Sequence, residues 1–169
     1  LSAAVPLTKT FTLKNREIET EPYPFVKNFT SHTEEVATLE DFSTALKLHA
    51  ALGHCLLKGT LTRPLIDESR AGATQSIALP NYLCLDLDFD DGFHQDVENF
   101  LSAIGISNTG YIWQRSASAG VKYSPDGLRG HCFVQLTHPA SPQQLKSWLM
   151  YLNMSVPALR RQITLTAHM

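Results

Sequence analysis

The stretch Asn81-Tyr-Leu-Cys-Leu-Asp-Leu-Asp-Phe-Asp-Asp-Gly92 constrains this chain more than any other part of it, because a short apolar run meets four carboxylates within six positions and then stops at a glycine. Residues 82–87 have the length and apolarity of a buried strand. Side chains on a strand alternate between faces, so Asp86 and Asp88 point the same way, two residues' rise apart. Two like charges held at the end of an apolar strand are costly unless positive charge sits between them. A hard cation, Mg²⁺ or Mn²⁺, with phosphate oxygens in its open positions meets that need. A solvated turn after a strand, where Asp is common, is the other reading of the same residues.

A buried strand needs a core, and 169 residues with 43% hydrophobic content supply one. The expectation is one globular domain over residues 1–169. A formal net charge of −2 carries no overall basic signature of the kind that marks non-specific DNA binding. Its distribution says more. Residues 71–114 hold six acids and no Lys or Arg, whereas residues 115–161 hold six basic residues against Asp126 alone. An acidic middle and a basic last third suit a cation and an anionic ligand in one cleft. Cys55, Cys84 and Cys132 are widely separated in apolar surroundings and form no Cys-x-x-Cys pair, so they read as buried thiols in a reducing compartment. No apolar run approaches membrane-spanning length and no signal peptide is visible. The chain opens at Leu1 and not at a Met, so a trimmed piece of a longer polypeptide is expected.

In chain order, residues 1–37 are broken by Pro6, Pro22 and Pro24 and read as a covering arm with a short strand over 10–13. Thr38-Leu-Glu-Asp41 has the pattern of a capping box, and Leu39, Phe42, Ala45, Leu46 and His49 follow at helical spacing until Gly53, giving a helix over 39–52. Residues 54–58 read as a short strand, with His49 and His54 as ordinary packing or surface histidines. Residues 59–80 read as a loop holding Arg63 and Arg70; Arg70 followed by Ala-Gly-Ala can offer a guanidinium and backbone N–H groups to a phosphate, or be a solvated surface connection. Phe93, Val97, Phe100, Leu101 and Ile104 mark an amphipathic helix started by Asp91 or Gly92 and closed by Gly105. Asp96 and Glu98 are its solvated charges, and His94, next to the acidic cluster, is either exposed or drawn into the site, exposure being the commoner fate. Residues 109–116 and 130–136 form two strands of a long-looped hairpin with a turn at Ser124-Pro-Asp-Gly127. Ser141-Pro opens a last helix whose buried face is Leu145, Trp148, Leu149 and Leu152. Pro157 interrupts, and residues 163–166 begin a further strand. The whole is an α+β arrangement with a small, mostly antiparallel sheet covered by helices.

Leu83-Cys-Leu-Asp-Leu-Asp88 resembles the first motif of the archaeo-eukaryotic primase superfamily, the primase-polymerases, in which apolar residues precede Asp-x-Asp. Ser116-Ala-Ser-Ala-Gly120 followed by Arg129-Gly-His-Cys-Phe-Val134 resembles the second, in which a small residue and a His open a strand. The spacing of about 40 residues between them is similar too. The resemblance covers roughly residues 55–150 and is closest to the primase domains of phage and mobile-element replication proteins. It implies an RRM-like catalytic core, a two-metal Mg²⁺ or Mn²⁺ site and template-dependent nucleotidyl transfer in DNA replication. By position, Asp86 and Asp88 become the metal ligands and His131 the triphosphate contact. Arg129, Ser116, Ser118 and Arg70 are further phosphate candidates, and Arg63, Arg115 and Lys122 candidates for nucleic-acid contacts. The implied partners are nucleoside triphosphates, a single-stranded DNA template and a helicase domain in the same polypeptide, in the cytoplasm of a bacterial or phage-infected cell and with no membrane. The family's third motif, an acid at a strand end, has no counterpart after Asp126, so the expectation is that residues 1–169 stop before it; Asp90 is the first substitute among the acids present.

Other classes fit less well. An aspartate-dependent phosphatase also begins with a strand and Asp-x-Asp, but its pattern puts Thr or Val where this chain has Asp90. A rolling-circle nuclease needs a His-x-His pair, and His131 is followed by Cys132 and Phe133. A non-catalytic module binding single-stranded nucleic acid or nucleotides stays open, since Tyr111, Trp113 and Phe133 offer rings to stack bases, although core packing is the commoner fate of strand aromatics.

Overall fold

Leucines at every second position of residues 82–88 can be buried together only if one side of the strand is covered, and this requirement sets the architecture around it. A computed structural model describes residues 1–75, 81–88, 96–121, 127–155 and 163–164. They form an α+β protein with three helices and small antiparallel sheets. The chain divides into two compact units, Leu1–Ala78 and Leu79–His168. Among the described residues, no helix is long and apolar enough to cross a membrane.

The first unit carries β1 (Thr10–Lys14), β2 (Glu17–Glu21), β3 (Asn28–Phe29), α1 (Leu39–Ala51), β4 (Thr60–Leu61), β5 (Glu68–Ser69) and β6 (Thr74–Gln75). β1 and β2 form a hairpin that was not expected. Its turn residues Asn15 and Arg16 both take positive φ, 52° and 71°, the hand that matches strand twist in a two-residue turn. The loop expected over 59–80 instead contains three short strands, pairing as β3 with β5 and β4 with β6. The strand expected over 54–58 does not form. That run is instead joined to the start of the chain by reciprocal backbone bonds between Leu1 and Cys55. α1 begins as its sequence requires: the Thr38 hydroxyl accepts from the Asp41 N–H at 3.1 Å, and an Asp41 carboxylate oxygen accepts from the Thr38 N–H at 3.0 Å. None of its side chains is fully buried, because this unit's core is small, built on Leu1, Leu65 and Ala73.

The second unit carries β7 (Tyr82–Asp88), α2 (Val97–Ala103), β8 (Tyr111–Arg115), β9 (Arg129–Gln135), α3 (Pro142–Ser155) and β10 (Ile163–Thr164). Its four-stranded sheet has the order β10-β7-β9-β8, with every neighbouring pair antiparallel. The acid-bearing strand β7 is therefore central. α2 joins β7 to β8 and α3 joins β9 to β10, each connection stepping over the strand between its ends. Leu83, Leu85 and Leu87 of β7 and Cys132 and Val134 of β9 meet Val97, Phe100, Leu101 and Ile104 around α2 and Leu149 and Leu152 of α3 in one core.

The ends of both helices follow from local chemistry. Asp96, expected as a solvated helix charge, is instead the N-cap of α2: its carboxylate accepts the Asn99 N–H at 2.7 Å. Gly105, in the left-handed region at φ 82°, closes the helix, with the Ile106 N–H turning back to the Leu101 carbonyl. Ser141 and Gln144 make a reciprocal box at the start of α3. The expected helix start at Asp91 or Gly92, the acids Asp90 and Asp126, His94, Lys122 and the break at Pro157 lie outside the described residues.

Candidate functional site

Alternation along β7 sends Tyr82, Cys84, Asp86 and Asp88 to the face turned away from α2 and α3, and the antiparallel register decides what meets them there. Asp86 lies opposite His131, Asp88 opposite Arg129 and Cys84 opposite Phe133. Gln114 of β8 lies on the other side of His131. The ladder continues one residue past β8, where the Ser116 N–H donates to the Arg129 carbonyl at 2.9 Å. Two rows of polar residues thus cross the sheet, Asp86–His131–Gln114 and Asp88–Arg129–Ser116. β10 adds Thr164 in backbone register with Asp86.

The two rows pair each acid with a base. Arg129 Nη1 donates to Asp88 Oδ1 at 2.9 Å. The guanidinium side of this pair is well covered, at 13% exposed, while the Asp88 carboxylate is 69% exposed. His131 Nε2 stands 3.7 Å from Asp86 Oδ1, too long for a hydrogen bond and close enough for a charge pair when the imidazole is protonated. Part of the repulsion between the acids is therefore offset by groups of the chain itself. Asp86 and Asp88 are still spaced by roughly 6.5–7 Å along the strand, within range for two carboxylates to lean toward a common cation. Among the described residues, no group of three or more His, Cys, Asp and Glu side chains is placed to hold a metal ion.

Beside the rows, the Ser116 and Ser118 hydroxyls are 3.2 Å apart in a tight turn, in which the Ala119 N–H donates to the Ser116 carbonyl and Gly120 takes φ 73°. Cys132 is buried on the helix side, and burial, followed by the nearby Cys84, pushes its thiol up to about 12, so it stays a thiol at neutral pH. Cys84 and Cys55 are only half-buried, against the expectation of three buried thiols. Burial also raises the Tyr82 phenol above its usual value.

The structure therefore gathers Asp86, Asp88, Arg129, His131 and Ser116 into one patch, with Ser118 in the adjoining turn. Arg115 has the opposite parity, facing Gly130. Arg63 and Arg70 belong to the first unit. There the Arg63 guanidinium is bound to the Glu68 carboxylate, which it holds below the usual carboxylate range. Lys122 lies outside the described residues. Gln114 was not singled out from the sequence; counting two residues back from Ser116 along the expected strand is the signal that finds it.

The three aromatic rings do not share a surface. Tyr111 and Trp113 pack against the helix-side core. Phe133 faces the other way and is 2% exposed, its ring 6.5 Å from that of Tyr82 and 6.2 Å from that of His131. No family model, no curated protein and no solved structure matches this chain.

Proposed function

We propose that the face of β7 and β9 carrying Asp86, Asp88, Arg129 and His131 is the nucleotidyl-transfer site of a primase-polymerase-type enzyme, acting in DNA replication on nucleoside triphosphates and a single-stranded DNA template. One observation supports this above the rest: Asp86 of the Asp-x-Asp pair and His131 of the second motif, 45 residues apart in the chain, fall directly opposite one another on adjacent strands, with Asp88 opposite Arg129 beside them. The strand order β10-β7-β9-β8, with helices after the first and third strands in sequence, supports the reading of this sheet as the RRM-like core that the resemblance implies.

The donor set fits a hard divalent cation. Asp86 and Asp88 offer carboxylate oxygens from one face, and water and phosphate oxygens suit the remaining positions of Mg²⁺ or Mn²⁺. When bound, such ions lower the pKa of the attacking 3′-hydroxyl and neutralise the departing pyrophosphate. His131, lying between Asp86 and Gln114, donates a hydrogen bond to a phosphate oxygen and stabilises charge that grows in the transition state. Arg129 exchanges its bond with Asp88 for one to phosphate, where its planar fork is well matched. Ser116, fixed to the Arg129 carbonyl through its backbone, brings its hydroxyl to the same edge. A helicase domain in the same polypeptide and a cytoplasmic setting complete the reading.

A non-catalytic stacking module is favoured less, because Tyr111 and Trp113 face the helices and Phe133 is covered. Calorimetry with a nucleoside triphosphate in Mn²⁺ and in chelator tests the proposal. Strong binding in Mn²⁺, lost in chelator and lost in Asp86→Asn, is expected. Equal affinity under both conditions overturns it.

A further inference from the structure

The first unit holds a concave surface that the acid-bearing face does not account for. β3 and β5 pair with Asn28 opposite Ser69, which brings Lys27, at the entry to β3, beside the residues that follow β5. The chain then turns sharply: the Ala73 N–H donates to the Arg70 carbonyl at 3.1 Å and Gly72 takes φ 73°, the geometry of a type II turn. The Ser69 hydroxyl accepts the Ala71 N–H at 3.2 Å and holds the start of that turn. The result is a pocket of about 350 Å³ whose lining includes Lys27, Phe29, Ser69, Arg70, Gly72 and Thr74.

Its charge is one-sided. The lining contains two cations and no acid. The nearest acid in sequence, Glu68, is bound to Arg63. Among the described residues, Lys27 and Arg70 make no ion pair. Two cations at one depression repel each other, and an anion between them removes that cost. The Ser69 and Thr74 hydroxyls add hydrogen-bond donors, and the open space at Gly72, where a Cβ would meet nothing within 4 Å, lets a ligand oxygen approach the backbone.

We propose that this pocket binds a phosphate group, and that its source is the backbone of a single-stranded polynucleotide. Lys27, Arg70, Ala71 and Gly72 are exposed, with no deep enclosure for a base, and the half-buried Phe29 is part of the lining. A chain threading past can set a phosphodiester here while its bases stay in solvent. The inference rests on the residues of this pocket, with Lys27 and Arg70 supplying its charge, and does not depend on the reading of Asp86 and Asp88.

The test is fluorescence anisotropy with labelled oligothymidylate in chelator, over a salt series, with Lys27→Gln, Arg70→Gln and the double variant. Lys14→Gln, at a lysine paired with Glu19 on β2, is the control. Each pocket variant is expected to lower the slope of log affinity against log salt by about 0.7, and the double variant to bind about tenfold more weakly at low salt. The control should match the parent, and thermal unfolding should show all four variants folded. A double variant with the parent's affinity and slope overturns the proposal. Inorganic phosphate and a nucleoside triphosphate are titrated in parallel: loss of triphosphate binding with oligonucleotide binding intact overturns the backbone assignment, whereas loss confined to the oligonucleotide supports it.

Discussion

The two faces of β7 are made from one strand and share almost nothing else. Leu83, Leu85 and Leu87 are 2%, 0% and 0% exposed, sealed by α2 and α3, whereas the Asp88 side chain, one residue from Leu87, is 69% exposed. The helix side gains its stability from apolar area removed from water, which is insensitive to register detail as long as the leucines stay inside. The other side depends on register completely: a slip of two residues between β7 and β9 would keep every side chain on its face and still change which partners Asp86 and Asp88 meet. The leucines fix which residues face outward, and the strand pairing fixes which of those meet.

Replacing a ring in the sealed core should give the largest effect. Phe100 is fully buried where α2 meets the sheet, so Phe100→Ala is expected to cost about 3–5 kcal/mol. Chemical denaturation measures it. A loss below about 1 kcal/mol would mean that the helices contribute little to holding β7, and the contrast between the faces would fail.

On the polar face the expected response is in binding. His131→Ala should weaken nucleoside triphosphate affinity by about 1.5–3 kcal/mol, ten- to a hundredfold, and leave nucleoside affinity nearly unchanged. Equal small losses for both ligands would make His131 a structural residue of the sheet.

Gly130 sits between the two behaviours, on the helix side of β9 and next to the polar rows. A Cβ there would run into the Gln114 carbonyl oxygen and come within 2.9 Å of Arg115 Cα, both backbone atoms of β8. Gly130→Ala is therefore expected to cost about 1–3 kcal/mol by pushing β8 and β9 apart. Because Gln114 and Ser116 hang on that pairing, the same variant should weaken triphosphate binding. Unfolding and calorimetry on one sample show whether the two losses travel together.

How much of this was legible depended on the range of the interactions. β7 announced itself because alternation of leucine with Tyr82, Cys84 and the acids is local, and the helix starts at Thr38 and Ser141 were legible because a capping box at Thr38 and a Pro at the first helical position after Ser141 are local signals too. The role of Asp96 was harder to read, because Asp91 and Asp96 both have a side chain able to cap a helix, and the described α2 begins at Val97 with Asp96 as its N-cap. The two-residue ladders of the first unit are too short to have a period and exist through contacts such as Asn28 with Ser69, distant in sequence. The hairpin turn at Asn15 and Arg16 lacks the glycine that usually signals it. Within the site, Asp86, Asp88 and His131 were each visible, but the pairing of Asp88 with Arg129 and the place of Gln114 follow from register, which no local pattern states.

The smallest expected effect asks whether the ion pair on the polar face serves the fold at all. Asp88 bonds Arg129 from a side chain that is largely in water, where a salt bridge contributes at most about 1 kcal/mol and is screened by salt. Arg129 is well covered and has interactions besides this pair, so Asp88→Asn does not strip it of partners. Asparagine can still accept a hydrogen bond at the same place. Asp88→Asn is therefore expected to change unfolding free energy by less than about 1 kcal/mol, with the difference shrinking as salt is raised. Metal-dependent triphosphate binding should fall steeply in the same protein, since a neutral amide is a poor ligand for a hard cation. A loss of stability near that of Phe100→Ala, with triphosphate binding retained, would place Asp88 among the residues that hold the sheet together, and the polar face of β7 would then be an extension of the core.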